Sequence, residues 1–476
     1  MNYDQFIESK SQLGGNHGFD PLWMPDNLFD FQKHLVEWSC RKGRAALLAD
    51  CGLGKSAMQL TWAENVVRKT NGRVLVLTPL AVGTQTVREG EKFGVECYQS
   101  RDGKWPGDKK IIVTNYEKLH LFNAADFVGC VCDESSILKH YTGATQKTVT
   151  RFMSKLPHRL LCTATAAPND FIELGTSSEA LGELSNSEML ARFFRYRDDK
   201  GQKQDAALQQ EAERAKCHYA KLAFRVAQTI GQWRLKHHAR EHFWRWVASW
   251  ARSCRKPSDL GFDDGAFKLP ALNEREHVIT LATLPSGLLF NVPALGLSEE
   301  REERKRTLNE RCEFAARLAD HARPVVLWCH ANSEGDLLES LVKDSRQICG
   351  ATPDDVKEEI YKDFSDGSLR ALVIKPKIGA WGLNWQHCSD VVTFASHSYE
   401  QYYQSVRRCW RFGQKRAVTV DIIATEGESR VLSNLKRKAR QAEMMFEILV
   451  KEMNRSVGIQ RENKHKKEME LPTWLS

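Results

Sequence analysis

The sequence predicts an α/β protein with two doubly wound parallel sheets and a helical segment between them. Three observations carry this. Short apolar runs alternate with helix-period segments across residues 45–165, and the same rhythm returns after about residue 320. The apolar runs lack the in-out alternation of a half-exposed strand, as befits strands covered on both faces. At 476 residues the chain has room for two or three domains of about 100–200 residues each.

The elements follow in order. Residues 1–30 are a polar lead-in carrying Gly14, Gly15, Pro21 and Pro25. Phe31, Leu35, Val36 and Trp38 recur at helical spacing. RAALLAD is a buried strand; it enters the glycine turn CGLGKS and leaves as an amphipathic helix with Ala57, Leu60, Trp62, Ala63, Val66 and Val67 on it. Strand RVLVLTP ends at Pro79, and a helix precedes Lys92. Strands IIVTNYE (111–117), VGCVCDE (128–134) and RLLCTAT (159–165) complete the first half.

Residues 186–270 break the rhythm and are expected to be a basic helical insertion. Between 191 and 260, 16 Lys and Arg face 7 Asp and Glu, so this stretch alone exceeds the chain's net +8. It holds Trp233, Trp244, Trp246 and Trp250. Phe243, Trp246, Val247 and Trp250 fall on one helical face, with Arg245 and Arg252 turned elsewhere. The segment reads either as a protrusion gripping duplex phosphates or as a subdomain with a tryptophan core. The apolar period favours the core, and leaves Arg245 and Arg252 as surface contacts for DNA.

A connector, 271–300, contains strand EHVITL. A charged helix runs from Glu299 to His321. Then come strand PVVLWCH, helices GDLLESLV and DDVKEEIYKDF, strands RALVIK and DVVTFA, a helix over 399–411, strand AVTVDII and a long amphipathic helix over 427–455. The division expected is 1–185, 186–270, 271–300, 301–455 and a polar tail, 456–476.

Composition limits the function classes. Apolar residues make up 42% and charged residues 27%, which excludes a mainly disordered, collagen-like or coiled-coil chain. No run approaches the ~18 apolar residues of a membrane span. MNYDQFIESK lacks the basic start of a secretory signal. Thirteen cysteines include no CxxC pair, so neither a zinc site nor a disulfide framework is expected, and a reducing cytoplasmic compartment is. Cys130 and Cys132 read as small buried residues. The mild positive charge suits a polyanionic partner.

Three clusters carry chemistry. Ala49-Asp50-Cys51-Gly52-Leu53-Gly54-Lys55-Ser56 joins a strand to a helix. Small residues let backbone N–H groups close on phosphate oxygens at a helix N-terminus. Lys55 then reaches the outer phosphates and Ser56 offers a hydroxyl to Mg²⁺. Asp133-Glu134 ends a strand about 77 residues after Lys55; Asp133 suits Mg²⁺, and Glu134 suits orienting and deprotonating water. Arg408 and Arg411 are three apart on a helix and suit the charge of a phosphoryl transition state; the alternative is a solvated basic face, a reading that also suits Arg407 and Arg416.

Together these residues resemble the superfamily 2 helicases and translocases, most closely the Swi/Snf-like branch, over about 28–185 and 320–425 and in the family's order. Phe31-Gln32 is similar to its adenine-recognising glutamine motif, and Ala49–Ser56 to motif I. Thr78-Pro79 resembles motif Ia, Thr114-Asn115-Tyr116-Glu117 motif Ib, and Asp133-Glu134-Ser135-Ser136 the DEAH box. Thr163-Ala164-Thr165-Ala166-Ala167-Pro168-Asn169 resembles the coupling motif, Gly379–Asn384 motif V, and Gln404 to Gln414 motif VI. Ser135-Ser136 and Ala166 depart from the pattern. The insert is shorter than a chromatin remodeller's, which makes the chain more similar to compact phage- or bacterial-type members.

The resemblance implies two RecA-like domains with ATP and Mg²⁺ between them. Gln32, Gly52, Gly54, Lys55, Ser56, Asp133 and Gly382 would hold nucleotide and metal, and Glu134, Arg408 and Arg411 would complete the hydrolytic apparatus. Thr163 and Thr165 would couple it to movement, and Thr78, Thr114, Asn115 and Lys377 would touch nucleic acid. The partner implied is duplex or single-stranded DNA, with replication, recombination or nuclease proteins as further partners and no membrane. An ATP-gated clamp without turnover and an RNA-directed helicase stay open as alternatives. A small-molecule phosphotransferase would have no use for paired arginines in a second α/β domain.

Overall fold

The computed structural model describes residues 15–79, 82–139, 143–165, 171–196, 233–280, 297–379 and 383–468. The first lobe runs α1 (Asp30–Lys42), β1 (Arg44–Ala49), α2 (Lys55–Thr70), β2 (Val74–Thr78), α3 (Gly83–Phe93), β3 (Cys97–Gln99), β4 (Ile111–Asn115), β5 (Gly129–Asp133), α4 (Ala144–Met153), β6 (His158–Cys162), α5 (Leu174–Leu181) and α6 (Asn186–Phe193). It continues through β7 (Phe194–Tyr196), β8 (Trp233–Leu235), α7 (Arg240–Trp250) and β9 (Ala251–Cys254). The second lobe holds β10 (Leu272–Ile279), α8 (Leu297–Arg306), α9 (Leu308–Leu318), β11 (Val325–Trp328), α10 (Asn332–Leu341), β12 (Ser345–Ile348), α11 (Asp354–Asp366), β13 (Ala371–Ile374), α12 (Pro376–Gly379), β14 (Asp390–Phe394), α13 (Tyr399–Cys409), β15 (Val418–Thr425) and α14 (Ser429–Glu468).

Each lobe is built on one parallel sheet. The orders are β3-β4-β2-β5-β6-β1-β9 and β10-β15-β14-β11-β13-β12. Alternate residues of each central strand feed opposite faces. Ala46 and Leu48 enter one core of the first sheet, and Ala45, Leu47 and Ala49 the other. Val326 and Trp328, against Val325 and Leu327, do the same in the second sheet. The uninterrupted apolar runs are therefore the signature of strands covered on both sides.

The structure corrects the expected helical insertion over 186–270. Its last part, β9, is a strand of the first sheet, pairing Ala46 with Ala251 and Ala49 with Cys254. Ahead of it, α7 buries Phe243, Trp244, Trp246, Val247 and Trp250 in the first lobe's main core. ARSC escapes a search for apolar runs because it is short and half polar. Residues 197–232 lie outside the described residues.

Three boundaries also differ. The connector contributes β10, an edge strand parallel to β15. The charged helix from Glu299 is two helices broken at Thr307. The final helix starts at Ser429 and runs to Glu468, into the segment expected to be a polar tail.

That last helix crosses between the lobes. Val431 and Leu432 pack in the second lobe's core, and Met445, Phe446 and Leu449 in the first lobe's core. Among the described residues no helix is long and apolar enough to cross a membrane.

Candidate active site

The loop between β1 and α2 needs two left-handed residues, and glycine supplies both: Gly52 has φ +87° and Gly54 φ +77°. At Gly52 the second lobe comes so close that a Cβ would stand 3.0 Å from the Phe412 nitrogen. Lys55 folds back over its own loop and donates to the carbonyls of Ala49 (3.1 Å) and Asp50 (3.4 Å). Burial works against its charge, but neighbouring Cys51, Glu134, Asp133 and Asp50 outweigh it and hold the ammonium above its usual range. Gln32 is buried against the loop. Its Oε1 accepts from the Phe29 N–H at 3.0 Å and its Nε2 donates to the Leu53 carbonyl at 2.9 Å. Its amide thus ties α1 to the glycine turn.

Asp133 and Glu134 stand at the end of β5, both buried. Gln59 Nε2 donates to Asp133 Oδ1 at 3.0 Å. Burial, with the charge of Glu134 adding to it, pushes the Asp133 carboxyl up to about 7. Glu134 sits at φ +51°, a left-handed conformation that costs a non-glycine residue about 1–3 kcal/mol. The Thr163 hydroxyl donates to Glu134 Oε2 at 3.3 Å.

These residues fit a divalent cation. Asp133 is a hard oxygen donor whose buried charge Gln59 and Lys55 offset only in part, and Ser56, half-buried, stands in the first turn of α2. Among the described residues no three His, Cys, Asp or Glu side chains gather as a metal cage. A Mg²⁺ shared with nucleotide phosphates needs only one or two protein ligands.

The second lobe reaches this site through α13. Arg407 forms an ion pair with Asp50 at 2.9 Å and also donates to the Cys51 carbonyl. The Tyr403 hydroxyl donates to the other Asp50 oxygen. Burial opposes the Arg407 charge, but Asp50 and Tyr403 prevail and raise its pKa above the usual range. Arg408 turns instead to its own lobe, donating to the carbonyls of Gln404 (3.1 Å) and Leu383 (2.9 Å). Arg411 also binds the Leu383 carbonyl, at 3.0 Å, while lying near Gly52. Burial, with Arg408 adding to it, pushes Arg411 down to about 10.

The expectation of a solvated Arg407 is therefore corrected: of the three guanidiniums, Arg407 is the one bonded to the P-loop. The missed signal was spacing. Glu400, Tyr403 and Arg407 recur at i, i+3 and i+7, one helical face.

Thr163 and Thr165 also link the lobes. The Thr165 N–H donates to Thr163 Oγ1 at 3.1 Å, and its hydroxyl donates to Glu400 Oε1 at 3.5 Å. Glu400 Oε2 pairs with Lys139 of the first lobe.

The candidate nucleic-acid contacts divide. The Thr78 and Thr114 hydroxyls are buried and bind the carbonyls of Thr114 and Ser100. Asn115 caps the turn at Lys118. Lys377 is exposed. Arg245 pairs with Glu241 at 3.1 Å. Arg252 is corrected: it is buried on β9, its guanidinium 4.3 Å from the centre of the Trp38 ring, and no surface partner can reach it. Gly382 and Ala166–Asn169 lie outside the described residues.

Residues 313–413 match the helicase conserved C-terminal domain. The chain shares its fold with Saccharomyces cerevisiae Dbp5, solved bound to RNA and ADP BeF3. The alignment covers 88% of this chain and 93% of that one, at 11% identity and a TM-score of 0.51. A Sulfolobus solfataricus SWI2/SNF2 ATPase core in complex with dsDNA aligns over 90% of this chain and 98% of its own, at 14% identity and a TM-score of 0.38. No curated protein matches the sequence.

Proposed function

We propose that the chain is a DNA-dependent ATPase of the Swi/Snf-like kind, using closure of its two lobes on ATP to move along DNA. The observation that carries this is the Asp50–Arg407 ion pair, which brings a second-lobe guanidinium onto the phosphate loop of the first. The resemblance of the motifs to the Swi/Snf-like branch supports DNA as the track, with an RNA-directed helicase as the alternative.

In this reading the N–H groups of the glycine turn and Lys55 hold the phosphates, and Gln32 exchanges its Leu53 bond for the adenine edge. Glu134 accepts a proton from water as the water oxygen attacks the γ-phosphorus. The bond to the bridging oxygen then breaks, and its electron pair leaves with ADP. Arg407 and Arg411 stand where charge on the transferring phosphoryl group is met from the second lobe. Mg²⁺, when bound at Ser56 and Asp133, supplies further neutralisation of phosphate charge.

Phosphate contacts to the track fall to exposed cations. Lys377 is one. The ribbon of β7 and β8 offers two more, because Arg195 and Arg234 stand directly opposite each other and both are exposed. Like charges so placed repel by about 0.2–1 kcal/mol, a cost that a phosphate removes. Among the described residues neither has a carboxylate partner.

The test is phosphate release with duplex DNA, single-stranded DNA or RNA, combined with triplex- and strand-displacement assays. DNA is expected to stimulate release, and Lys55→Ala and Glu134→Gln each to reduce it at least ~100-fold. Binding without stimulation would favour the ATP-gated clamp, and stimulation by RNA alone would favour the RNA-directed reading.

A further inference from the structure

Glu400 has no role in the apparatus above, yet its surroundings are unusual. It is a carboxylate 5% exposed in the first turn of α13. Among the described residues both of its oxygens find partners only in the opposite lobe: Lys139 on one and the Thr165 hydroxyl on the other. Lys139 follows the acidic pair along the chain, in the turn Ser135–Lys139. Thr165 reaches back through Thr163 to Glu134. Two strand ends of the first lobe, β5 and β6, therefore converge on one side chain of the second.

Donor and acceptor roles along this path are fixed. The Thr163 hydroxyl gives its hydrogen to Glu134 and accepts one from the Thr165 N–H, while the Thr165 hydroxyl gives its own to Glu400. The path ends on an acceptor at both ends, as two carboxylates supply. Glu400 also shares a helical face with Tyr403 and Arg407. A helix is rigid at 1.5 Å per residue, so anchoring Glu400 fixes where Arg407 stands about two turns away. A carboxylate buried only when the lobes meet also makes closure selective. With Lys139 out of register, Glu400 would lose its counter-charge without regaining water.

We propose that Glu400 is a positioning residue: held from the first lobe by Lys139 and Thr165, it sets the register in which Tyr403 and Arg407 meet the phosphate loop. This rests on the ATPase reading for its kinetic consequence, but not for its structural one.

The test has two arms. In the first, hydrogen exchange of residues 49–54 is followed in nucleotide-free protein. Glu400→Gln is expected to raise exchange there at least ~10-fold, because Arg407 loses its register on Asp50 and Cys51. The charge swap Lys139→Glu with Glu400→Lys is expected to restore protection relative to either single change. In the second, steady-state ATP hydrolysis is measured per folded molecule. Glu400→Gln is expected to lower kcat at least ~10-fold with KM within about threefold, since the first lobe alone holds most of the nucleotide. A general loss of folding would show instead as a lower melting temperature with kcat per folded molecule unchanged. Unchanged exchange at 49–54, or a swap no better than its single variants, overturns the proposal. A wild-type protein that hydrolyses no ATP, but whose exchange responds as described, sinks the ATPase reading and leaves Glu400 as the register of the two lobes.

Discussion

The ion pair across the cleft allows a quantitative experiment. Asp50 and Arg407 meet at 2.9 Å, with side chains 7% and 3% exposed. Removing one partner of a buried pair leaves an uncompensated charge and costs about 3–5 kcal/mol. In Arg407→Ala, Asp50 keeps the Tyr403 hydroxyl and the Cys51 N–H, so the lower end, about 3 kcal/mol, applies. Because the partners sit on different lobes, the cost falls on closure. At 1.4 kcal/mol per tenfold, the closed-to-open ratio without nucleotide should drop about 100-fold. Asp50→Asn should cost a similar amount, since the Arg407 charge is then left with the Cys51 carbonyl and the faces of Trp410 and Tyr403, and with no carboxylate. The double variant buries no unpaired charge and should cost less than the two single changes together, by about 0.5–3 kcal/mol. Energy transfer between labels on the two lobes measures the ratio directly. Single variants within about threefold of wild type, or a double variant equal to the sum, would refute the claim that this pair holds the cleft.

Other outcomes are expected. Gly52→Ala forces a side chain into a φ of +87° and toward Phe412, so it should cost about 1–2 kcal/mol in backbone strain and loosen the cleft, seen as lower thermal stability and weaker nucleotide binding. Arg195→Glu with Arg234→Glu should reduce the salt dependence of duplex binding by about two in slope, at about 0.9 per lost phosphate contact; an unchanged slope removes the ribbon from the track. The buried pair Arg311–Glu334, at 2.8 Å, predicts acid sensitivity of the second lobe. Burial opposes the Glu334 charge, but Arg311 prevails, so its pKa in the folded state lies below the ordinary 4.5. Its stabilisation is complete above pH 4.5 and is lost as pH falls through the folded value. Arg311→Met with Glu334→Met should flatten the melting-temperature profile below pH 4.5, and an unaltered profile would place the sensitivity elsewhere.

The sequence by itself determined the central strands of both sheets, because a strand covered on both faces must be a continuous apolar run, and few other arrangements tolerate one; the edge strands β3 and β12 carry no such run. It also brought out the glycine turn, since only glycine enters the left-handed conformation freely at Gly52 and Gly54. The aromatic face of α7 was equally legible from its period. It did not reveal β9, whose burial comes from its neighbours β1 and α14 and leaves no apolar pattern in ARSC. Nor did it choose between Arg407 and Arg408. Adjacent residues point about 100° apart around a helix, and only the packing of one lobe on the other decides which points at Asp50. Glu400 and Lys139 are 261 positions apart; their meeting depends on how the two lobes dock, which no local pattern encodes.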